Sequence, residues 1–552
     1  IEDSRGNIAS FKYDDLGRLV ETTNKYNEKN IYTYDSSYFG GKYIRLIETG
    51  KVGSTPGEIT RLSYSPEGFL QTIERQQPNL SWLVVTSNTH DSAGRILSQQ
   101  EHRDTEIYTT TYTYDALGRV ASLKDPKNHV TQFAYNAFDK LVKKIDPYEN
   151  DVEYTYDDLD RLISVKDQRG MITSYQYDAI GNRVQLDSAD TGTTYYQYDL
   201  LSRLVEKTDA RNIVTQYAYD LLNRLGSVSY PANSSENITY TYDSTNSGNY
   251  GLGRLTSISD QSGETNFTYD QFGNLIEKNY SIDSQFYNFL YQYTIHNDLG
   301  QTTYPSGRVI NYIRDAIGRI SDINVQSNAL AVPDTVVSNV QYEIYGAIKS
   351  FTYANGVQRN LTFDGNKLLR DIQDLGTASV LSLQYDYDPN SNINELLNNN
   401  DSSQDQTFTY DKLNRLQSAN GSYGGLAYQY DAVGNRTQRT ITTTGTTSEI
   451  YTYSETSNRL EKVDINDGIS QSQRILQYGL NGNLSKDTKA DGTILDLAYS
   501  NANRFSLLDK NSTPLATYLY NAFGQRTAKI STDPEISTHY HYDDAGRLVA
   551  TS

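Results

Sequence analysis

The chain contains no cysteine, one tryptophan and one methionine among its 552 residues. The absence of cysteine excludes disulfide bonds and thiolate-bound metals, and it agrees with a bacterial secreted or cell-surface protein. No run of about 18 apolar residues is present, so the sequence predicts no membrane span.

Basic residues are also scarce, since 49 Lys and Arg against 68 Asp and Glu give a net charge of −19. A chain this acidic disfavours nucleic acid and other polyanions as partners. Apolar residues make up 36% of the chain, and this figure includes 49 tyrosines. So little aliphatic material argues against several globular domains. It favours a thin sheet, because Tyr and Thr suit half-buried strand positions and the Tyr hydroxyl can stay hydrogen-bonded.

A tyrosine followed by Asp or Asn recurs every 21 residues in the clearest part of the chain. These tyrosines are Tyr114, Tyr135, Tyr156, Tyr177, Tyr198 and Tyr219. The pair is also present near both ends, at Tyr13-Asp14 and Tyr542-Asp543. A fixed interval of this kind predicts a repeat protein in which each unit is one supersecondary structure.

Each repeat contains two strand patterns and two turn patterns. In residues 172–192, Thr173 to Tyr177 alternates with period two, and a turn around Gly181 leads to the return strand and a second turn at Asp190. Asp can hydrogen-bond its own backbone in such turns, and Gly tolerates a positive φ. Short links between successive strands predict an antiparallel meander, so the expected fold class is all-β.

The Tyr-Asp pair has a structural and a functional interpretation. In the first, Tyr ends a strand and packs in a ladder, Asp starts the turn, and the following Arg lies along a neighbouring Tyr ring or pairs with Asp. In the second, the Tyr rings bind ligands such as sugars. We favour the structural interpretation because the pair recurs at every turn. The residues assigned to the structural repeat are Tyr114, Asp115, Gly118, Arg119, Tyr156, Asp157, Tyr177, Asp178, Gly181, Tyr198, Asp199, Tyr219, Asp220, Tyr542, Asp543 and Gly546. The further arginines expected to act in this way are Arg161, Arg183, Arg203 and Arg224.

These residues resemble the YD-repeat or Rhs family, whose consensus is similar to Tyr-Asp-x-x-Gly-Arg-Leu. The chain carries this pattern nearly verbatim at residues 13–19, 114–120 and 542–548. The resemblance covers essentially the whole chain, so we expect one continuous YD-repeat region over residues 1–552. It implies the family's fold, a β-hairpin ribbon that spirals into a curved or hollow shell. Bacterial Rhs proteins, the B and C components of Tc toxins and the YD barrel of teneurins are similar.

The resemblance also implies a function, because the shell of the toxin members encloses a C-terminal effector. That effector is released by self-cleavage after a motif close to Asp-Pro-x-Gly-Leu. The four Asp-Pro pairs of this chain, which begin at Asp125, Asp146, Asp388 and Asp533, do not continue into x-Gly-Leu. The chain also begins in the middle of the pattern, and we therefore expect it to be a piece of a longer polypeptide.

Two hypotheses follow. The first is a structural shell of a secreted bacterial Rhs- or Tc-like protein, which encapsulates or presents a toxin polypeptide from the same parent chain. The alternative is a cell-surface adhesion module without cargo, which binds glycans. An enzyme ranks third.

We assign no catalytic, cofactor-binding or metal-binding residues. The sequence has no Gly-x-Ser-x-Gly elbow and no phosphate-binding loop. Asp388 to Asn392 resembles a calcium loop only faintly, because Ile393 stands where Gly is needed. His539 and His541 could form a metal pair on one strand face, but we expect a surface pair satisfied by other partners.

Some stretches break the period. The repeats are degenerate between residues 280 and 400, where we expect loops, including a long one over residues 321–340 around Pro333. A second irregular stretch, Ser36 to Pro56, contains Gly40 and Gly41.

Overall fold

The computed structural model describes residue 2 and residues 6–39, 42–52, 57–77, 80–103, 105–344 and 346–552. Within these ranges the chain forms 48 β-strands and three short 3-10 turns, which confirms the all-β prediction. Gly40, Gly41 and residues 53–56 of the expected irregular stretch lie outside the described residues.

The strands follow one another along the whole described chain. They are β1 (Ser10–Tyr13), β2 (Leu19–Thr23), β3 (Glu28–Phe39), β4 (Lys42–Val52), β5 (Glu58–Tyr64), β6 (Leu70–Gln76), β7 (Trp82–His90), β8 (Ile96–Arg103), β9 (Glu106–Tyr114), β10 (Val120–Lys124), β11 (Val130–Tyr135), β12 (Leu141–Ile145), β13 (Asp151–Tyr156), β14 (Leu162–Lys166), β15 (Ile172–Tyr177), β16 (Arg183–Ser188), β17 (Gly192–Tyr198), β18 (Leu204–Thr208), β19 (Val214–Tyr219), β20 (Leu225–Ser229), β21 (Ile238–Tyr242), β22 (Leu255–Asp260), β23 (Gly263–Tyr269), β24 (Leu275–Ile282), β25 (Gln285–Tyr293), β26 (Leu299–Thr303), β27 (Val309–Arg314), β28 (Ile320–Gln326), β29 (Asp334–Tyr342), β30 (Ile348–Tyr353), β31 (Gln358–Phe363), β32 (Leu369–Leu375), β33 (Ser379–Tyr387), β34 (Ile393–Asn398), β35 (Gln406–Tyr410), β36 (Leu416–Gly421), β37 (Gly424–Tyr430), β38 (Arg436–Thr442), β39 (Thr446–Tyr453), β40 (Leu460–Asn466), β41 (Gln471–Tyr478), β42 (Leu484–Thr488), β43 (Ile494–Tyr499), β44 (Phe505–Lys510), β45 (Thr513–Tyr520), β46 (Arg526–Thr532), β47 (Glu535–Tyr542) and β48 (Leu548–Thr551). The 3-10 turns are Ser234–Glu236, Asn246–Gly248 and Ser402–Gln404.

Successive strands pair antiparallel, as a meander requires. β15, for example, pairs with β14 before it and with β16 after it. The register shifts at the tyrosine that ends the strand, since Gln176 faces Gln185 while Tyr177 faces Arg183. The same shift occurs at Tyr156, Tyr198 and Tyr219. It leaves one extra residue on the return strand, which is a β-bulge that bends the strand and increases its local twist.

Two compact units can be distinguished, and each combines an early and a late segment. Unit 1 comprises Ile1–Ala134, Ile145–Glu149 and Gln292–Tyr423. Unit 2 comprises Tyr135–Lys144, Asn150–Tyr291 and Gly424–Ser552. Residues about 250 to 290 positions apart are therefore neighbours inside each unit, which a simple chain of hairpins would not produce.

The apolar core is thin in both units. Few large side chains are fully buried, and those of unit 2 include Ile258, Ile282 and Phe289. Strands instead alternate between half-buried and exposed residues, as in Ile238–Tyr242, where Tyr240 and Tyr242 are half-buried and both threonines are exposed. One face thus carries the tyrosines and the other faces solvent, as the composition predicts for a sheet without a thick aliphatic layer.

The prediction of a long loop over residues 321–340 is wrong. β28 continues to Gln326 and β29 starts at Asp334, so the loop contains only residues 327–333. Pro333 does not disrupt the sheet because it lies immediately before β29, where no ladder hydrogen bond from its nitrogen is needed.

Candidate functional site: YD corners and seams

The aspartate of each repeat closes a tight corner by accepting several hydrogen bonds. We call the residues from the Tyr through the fourth residue after the Asp a YD corner, for example Tyr156–Arg161. The Asp157 carboxylate accepts from the amides of Leu159 and Arg161, both at 3.0 Å, and from Arg161 Nε at 2.7 Å. The Arg161 side chain and these amides hold the pKa of Asp157 below its usual value. The same carboxylate–arginine contact is made at Asp115, Asp199, Asp220, Asp411 and Asp543.

The tyrosine of each corner connects neighbouring hairpins. The Tyr177 hydroxyl donates to the carbonyl of Leu162 at 2.8 Å, and the Tyr219 hydroxyl donates to that of Leu204 at 3.0 Å. The accepting residue is in each case the first residue of the preceding return strand. Arg161 also covers the Tyr177 ring, with its guanidinium carbon 4.9 Å from the ring centre. Arg161 therefore binds its own aspartate and the tyrosine of the next corner, and Arg203 and Arg224 do the same.

The assigned glycines occupy left-handed backbone positions. Gly118, Gly181 and Gly546 have φ of 84°, 97° and 77°. Asp160 and Ser202 take the same position in other corners, at 59° and 60°. The corner thus requires the left-handed backbone conformation rather than glycine itself. The sequence pattern did not reveal this, because Asp and Ser are common turn residues in any case.

Arg183 does not occupy the corner position expected for it. Asn182 lies there instead and donates from Nδ2 to Asp178 Oδ2 at 2.9 Å. Arg183 is the first residue of β16, and its guanidinium lies 4.9 Å from the centre of the Tyr196 ring. The expected contact with a tyrosine ring is present, but Arg183 is not the arginine of a YD corner.

In unit 2 the second turns of the early segment meet the YD corners of the late segment, along an edge that we call seam 2. Arg169 donates to the carbonyls of Ser454 and Ser457, both at 2.9 Å. Arg211 donates to the carbonyls of Ser500 and Asn501 at 2.9 and 3.1 Å. Both arginines lie in second turns of the form Asp-x-Arg, and both reach backbone oxygens of the opposite corners. The Ser500 carbonyl also accepts from the Asn503 amide within its own corner.

At seam 2, acidic side chains of the early segment also accept hydrogen bonds from backbone amides of the late segment. Asp190 Oδ1 accepts from the Asn458 amide, and Asp260 Oδ2 accepts from the Ala522 amide, both at 2.6 Å. Burial raises the pKa of Asp260. The two backbones also approach closely, because a Cβ on Gly482 would lie 2.3 Å from the Asp190 carbonyl oxygen. A larger residue at Gly482 would therefore separate the two edges.

Unit 1 has an equivalent edge of its own, seam 1. Lys127 pairs with Asp388 at 3.0 Å, and Asn390 donates to Asp125 at 2.7 Å. Asp388 also accepts from the amides of Asn390 and Asn392. Burial opposes ionisation of Asp388, but its hydrogen bonds with Asn392 and Lys127 outweigh it and lower the pKa. Asp388 is therefore the aspartate of a YD corner that is held against the early segment.

His539 and His541 are buried, not at the surface as expected. They are 4% and 2% exposed. His541 Nδ1 lies 2.7 Å from the Tyr280 hydroxyl, and His539 Nδ1 lies 2.6 Å from the Tyr287 hydroxyl. Burial lowers the pKa of His541 to about 4. The pair does have other partners, as expected, and those partners come from the early segment of unit 2.

Metal sites and membrane-spanning helices are two other features that a functional site could include. Among the residues that the structure describes, no group of three or more His, Asp or Glu side chains is arranged to hold a metal ion. In the same ranges no helix is long and apolar enough to cross a membrane.

Known proteins share both the repeat and the fold. A family model described as "Teneurin YD-shell" matches residues 83–246. The solved structure of TcdB2-TccC3 matches 99% of this chain with a TM-score of 0.62 at 14% identity. The chain therefore has the Rhs-like shell fold of the Tc toxin structures, and part of it resembles the teneurin YD-shell family.

Other solved structures agree with this identification. TcdB2-TccC3 without its hypervariable C-terminal region matches 99% of the chain with a TM-score of 0.64 at 13% identity. The Tc holotoxin pore of Photorhabdus luminescens matches 100% of it with a TM-score of 0.58 at 13% identity. The YD-repeat chain spans only 37%, 38% and 42% of the lengths of these three relatives, in the order given. No curated protein sequence shows a significant match.

Proposed function

We propose that this YD-repeat chain is part of the wall of a secreted bacterial shell that encloses a toxin polypeptide. The observation that carries the proposal is the pair of seams. A wall that excludes other proteins must be continuous along its strands and also across the edges where one stretch of sheet meets another. In each unit those edges are joined by charged side chains that bind backbone groups of the opposite segment, Arg169 and Arg211 in unit 2 and Arg103 in unit 1.

The chemistry of the repeat suits enclosure. Neighbouring strands pair with each other, and the corner and seam contacts bind further backbone groups, so these groups need no partner from outside the chain. Its faces present Tyr, Thr and Gln rather than a broad aliphatic surface, which gives a partly unfolded cargo only weak contacts. Likeness to the Tc structures supports the same role, and it also supports a location outside the cell.

Protection of the cargo from protease tests the proposal. The full parent chain is treated with protease, and release of fragments from outside the YD-repeat region is followed with time. We expect the enclosed segment to survive in the wild type and to be cleaved faster in a variant that carries Arg169→Ala and Arg211→Ala. Lys166→Ala is the matched control, because Lys166 makes only a surface ion pair with Glu153. Equal cleavage in the wild type and in an unfolded sample would contradict enclosure.

Glycan binding remains the second candidate. Arginines cover some of the corner tyrosines, such as Tyr177 and Tyr219, whereas Tyr195 and Tyr250 are 52% and 54% exposed in unit 2. Exposed aromatic rings are suitable surfaces for sugar stacking. Binding on a glycan array that is lost in Tyr195→Ala or Tyr250→Ala would support this function over enclosure.

A further inference from the structure

A polar cavity of about 120 Å³ lies on seam 2, between the early and the late segment of unit 2. We call it the seam 2 cavity, and its charged and hydroxyl-bearing lining includes Tyr230, Glu236, Asp260 and Arg504. The volume has room for about four water molecules, at the roughly 30 Å³ that each occupies in the liquid. Two carboxylates and one guanidinium on its wall mean that a ligand inside would meet charges of both signs.

Arg504 ends a YD corner that has no aspartate. Ser500 occupies the aspartate position, since its amide donates to the Arg504 carbonyl just as the Asp157 amide donates to that of Arg161. Within the described part of the chain, the hydrogen bonds of Arg504 are made by its backbone with Ser500, and its side chain forms no ion pair. Its exposed guanidinium therefore has donors available for an anion.

The next corner fixes where this guanidinium lies. A Cβ on Gly524 would lie 2.3 Å from Arg504 Nη2, so the guanidinium packs on the bare backbone of that glycine. Gly524 and Ala522 both line the seam 2 cavity. Asp260 binds the Ala522 amide at 2.6 Å. The arginine and Asp260 thus reach the same corner without forming an ion pair with each other.

Tyr230 contributes a buried hydroxyl to the cavity. It is 6% exposed, and its hydrogen bonds to other described residues are made by its backbone, with Asn237 and Asn233. A buried tyrosine hydroxyl usually has a hydrogen-bond partner, so a partner is expected inside the cavity. Burial raises the pKa of Tyr230 to about 12, while the nearby charge of Arg504 acts to lower it. The hydroxyl is therefore protonated near pH 7 and can donate.

The two carboxylates of the cavity have no cation beside them. Glu236 accepts from the Ala502 amide at 3.2 Å and from Asn233 at 3.1 Å, which uses about half of the acceptor positions of a carboxylate. Asp260 accepts from Ser262 as well as from the Ala522 amide, and burial raises its pKa. Neither carboxylate forms an ion pair with a basic residue of the described ranges, so a cationic group in the cavity would be favoured by both.

We propose that the seam 2 cavity binds a small free α-amino acid such as alanine or serine. The ligand carboxylate pairs with Arg504 and accepts from the Tyr230 hydroxyl, and the ligand ammonium is bound by Glu236. An anion alone would meet the two carboxylates of the wall, and an amine alone would leave the guanidinium unpaired. The small volume restricts the side chain of the amino acid to a few atoms.

An amino acid in this position connects the two segments of unit 2. Glu236 belongs to the early segment and Arg504 to the late segment. A ligand that binds only when the two segments are in contact stabilises that contact by mass action. Binding would therefore reinforce seam 2 at a place where the corner arginine has no aspartate.

Isothermal titration calorimetry with alanine, acetate and ethylamine tests the ligand class. Alanine should bind with a dissociation constant of about 1 mM or less, an affinity that ligands of this size can reach. Acetate and ethylamine each carry one of its two charges and should bind at least tenfold more weakly. Absence of alanine binding, or either fragment binding as tightly as alanine, would overturn the proposal.

Substitutions test the assigned residues, once circular dichroism has shown that each variant is folded. Arg504→Gln should weaken alanine binding at least tenfold, and Tyr230→Phe, which removes one hydroxyl, about threefold or more. Arg308→Gln is the matched control, because Arg308 is also exposed and ends a corner of unit 1 in which Tyr304 stands at the aspartate position. Unchanged binding in Arg504→Gln, or an equal loss in Arg308→Gln, would contradict the assignment.

Hydrogen exchange of the wild type locates the ligand independently of any variant. Saturating alanine should slow exchange at residues 230–238 and 500–504, since the ligand contacts both segments. Slower exchange in only one of these stretches, or only in unit 1, would place the amino acid outside the seam 2 cavity and refute the proposal.

Discussion

Protonation of His541 should weaken unit 2 in mild acid. Burial lowers the pKa of His541 to about 4, whereas an unfolded histidine has a pKa near 6.5. The folded protein therefore binds this proton less tightly than the unfolded chain does. The contribution of neutral His541 to stability is complete above pH 6.5 and is lost as the pH falls towards 4. At 1.36 kcal/mol per pKa unit, the loss is about 2 kcal/mol at pH 5 and about 3 kcal/mol at pH 4.

The surroundings of His541 explain why the charge is disfavoured. Tyr280 contacts Nδ1, and both His539 and the Lys278 ammonium add positive charge nearby. The Tyr287 ring packs against it at a centroid distance of 4.5 Å. Among the described residues, the hydrogen bonds of the His541 ring nitrogens go to the hydroxyls of Tyr280 and Ser552, and neither hydroxyl supplies a counter-charge for a proton on His541.

Urea unfolding followed by far-UV circular dichroism measures the effect. The wild type and His541→Gln are compared at pH 7.5 and pH 5. The many aspartates titrate equally in both proteins, so their effect cancels in the comparison. Between pH 7.5 and pH 5, the free energy of unfolding of the wild type should fall by about 2 kcal/mol more than that of His541→Gln. An identical pH dependence in the wild type and His541→Gln would refute the reasoning.

Three other substitutions test the corner and the seam. Asp157→Ala removes three hydrogen bonds to one carboxylate and should lower the midpoint of urea unfolding; an unchanged midpoint would contradict the corner geometry. Gly181→Val should lower the melting temperature because a β-branched residue is strained at φ of 97°, whereas Gly181→Asn should be nearly neutral. Equal effects of Val and Asn would mean that φ is not the cause. Arg211→Ala removes the seam donor of the Ser500 and Asn501 carbonyls, although Ser500 keeps the Asn503 amide. It should speed hydrogen exchange at residues 500–504, while Lys166→Ala should not.

The repeat was predictable because its signals are local. The Tyr-Asp pair, the turn residue two or three positions later and the alternation of Thr and Tyr all lie within one hairpin. The β-bulge at Tyr177 was not predicted, since it depends on the register between two strands rather than on either sequence. The loop around Pro333 was overestimated for a related reason. The degenerate repeats there predicted a long loop, but Pro333 lies immediately before β29, where a proline is tolerated.

The seams were not predictable from sequence, because the partners are far apart and of ordinary type. Arg169 and Arg211 resemble solvated turn residues until Ser454 and Ser500 are placed beside them. The histidines show the same limit. His539 and His541 were recognised as a pair on one strand face, but their burial depends on Tyr280 and Tyr287, which lie more than 250 residues earlier.

Seam 2 also restricts how such a protein can change in length. In most repeat proteins each unit touches only its neighbours, so units can be duplicated or deleted singly. Here the turn at Arg211 must meet the corner at Ser500, and the turn at Asp260 must meet the corner at Ala522. Insertion of one hairpin between them in either segment would displace every later pairing by one step. Viable length variants should therefore carry compensating insertions in both segments, or place the extra residues in turns that take no part in the seam.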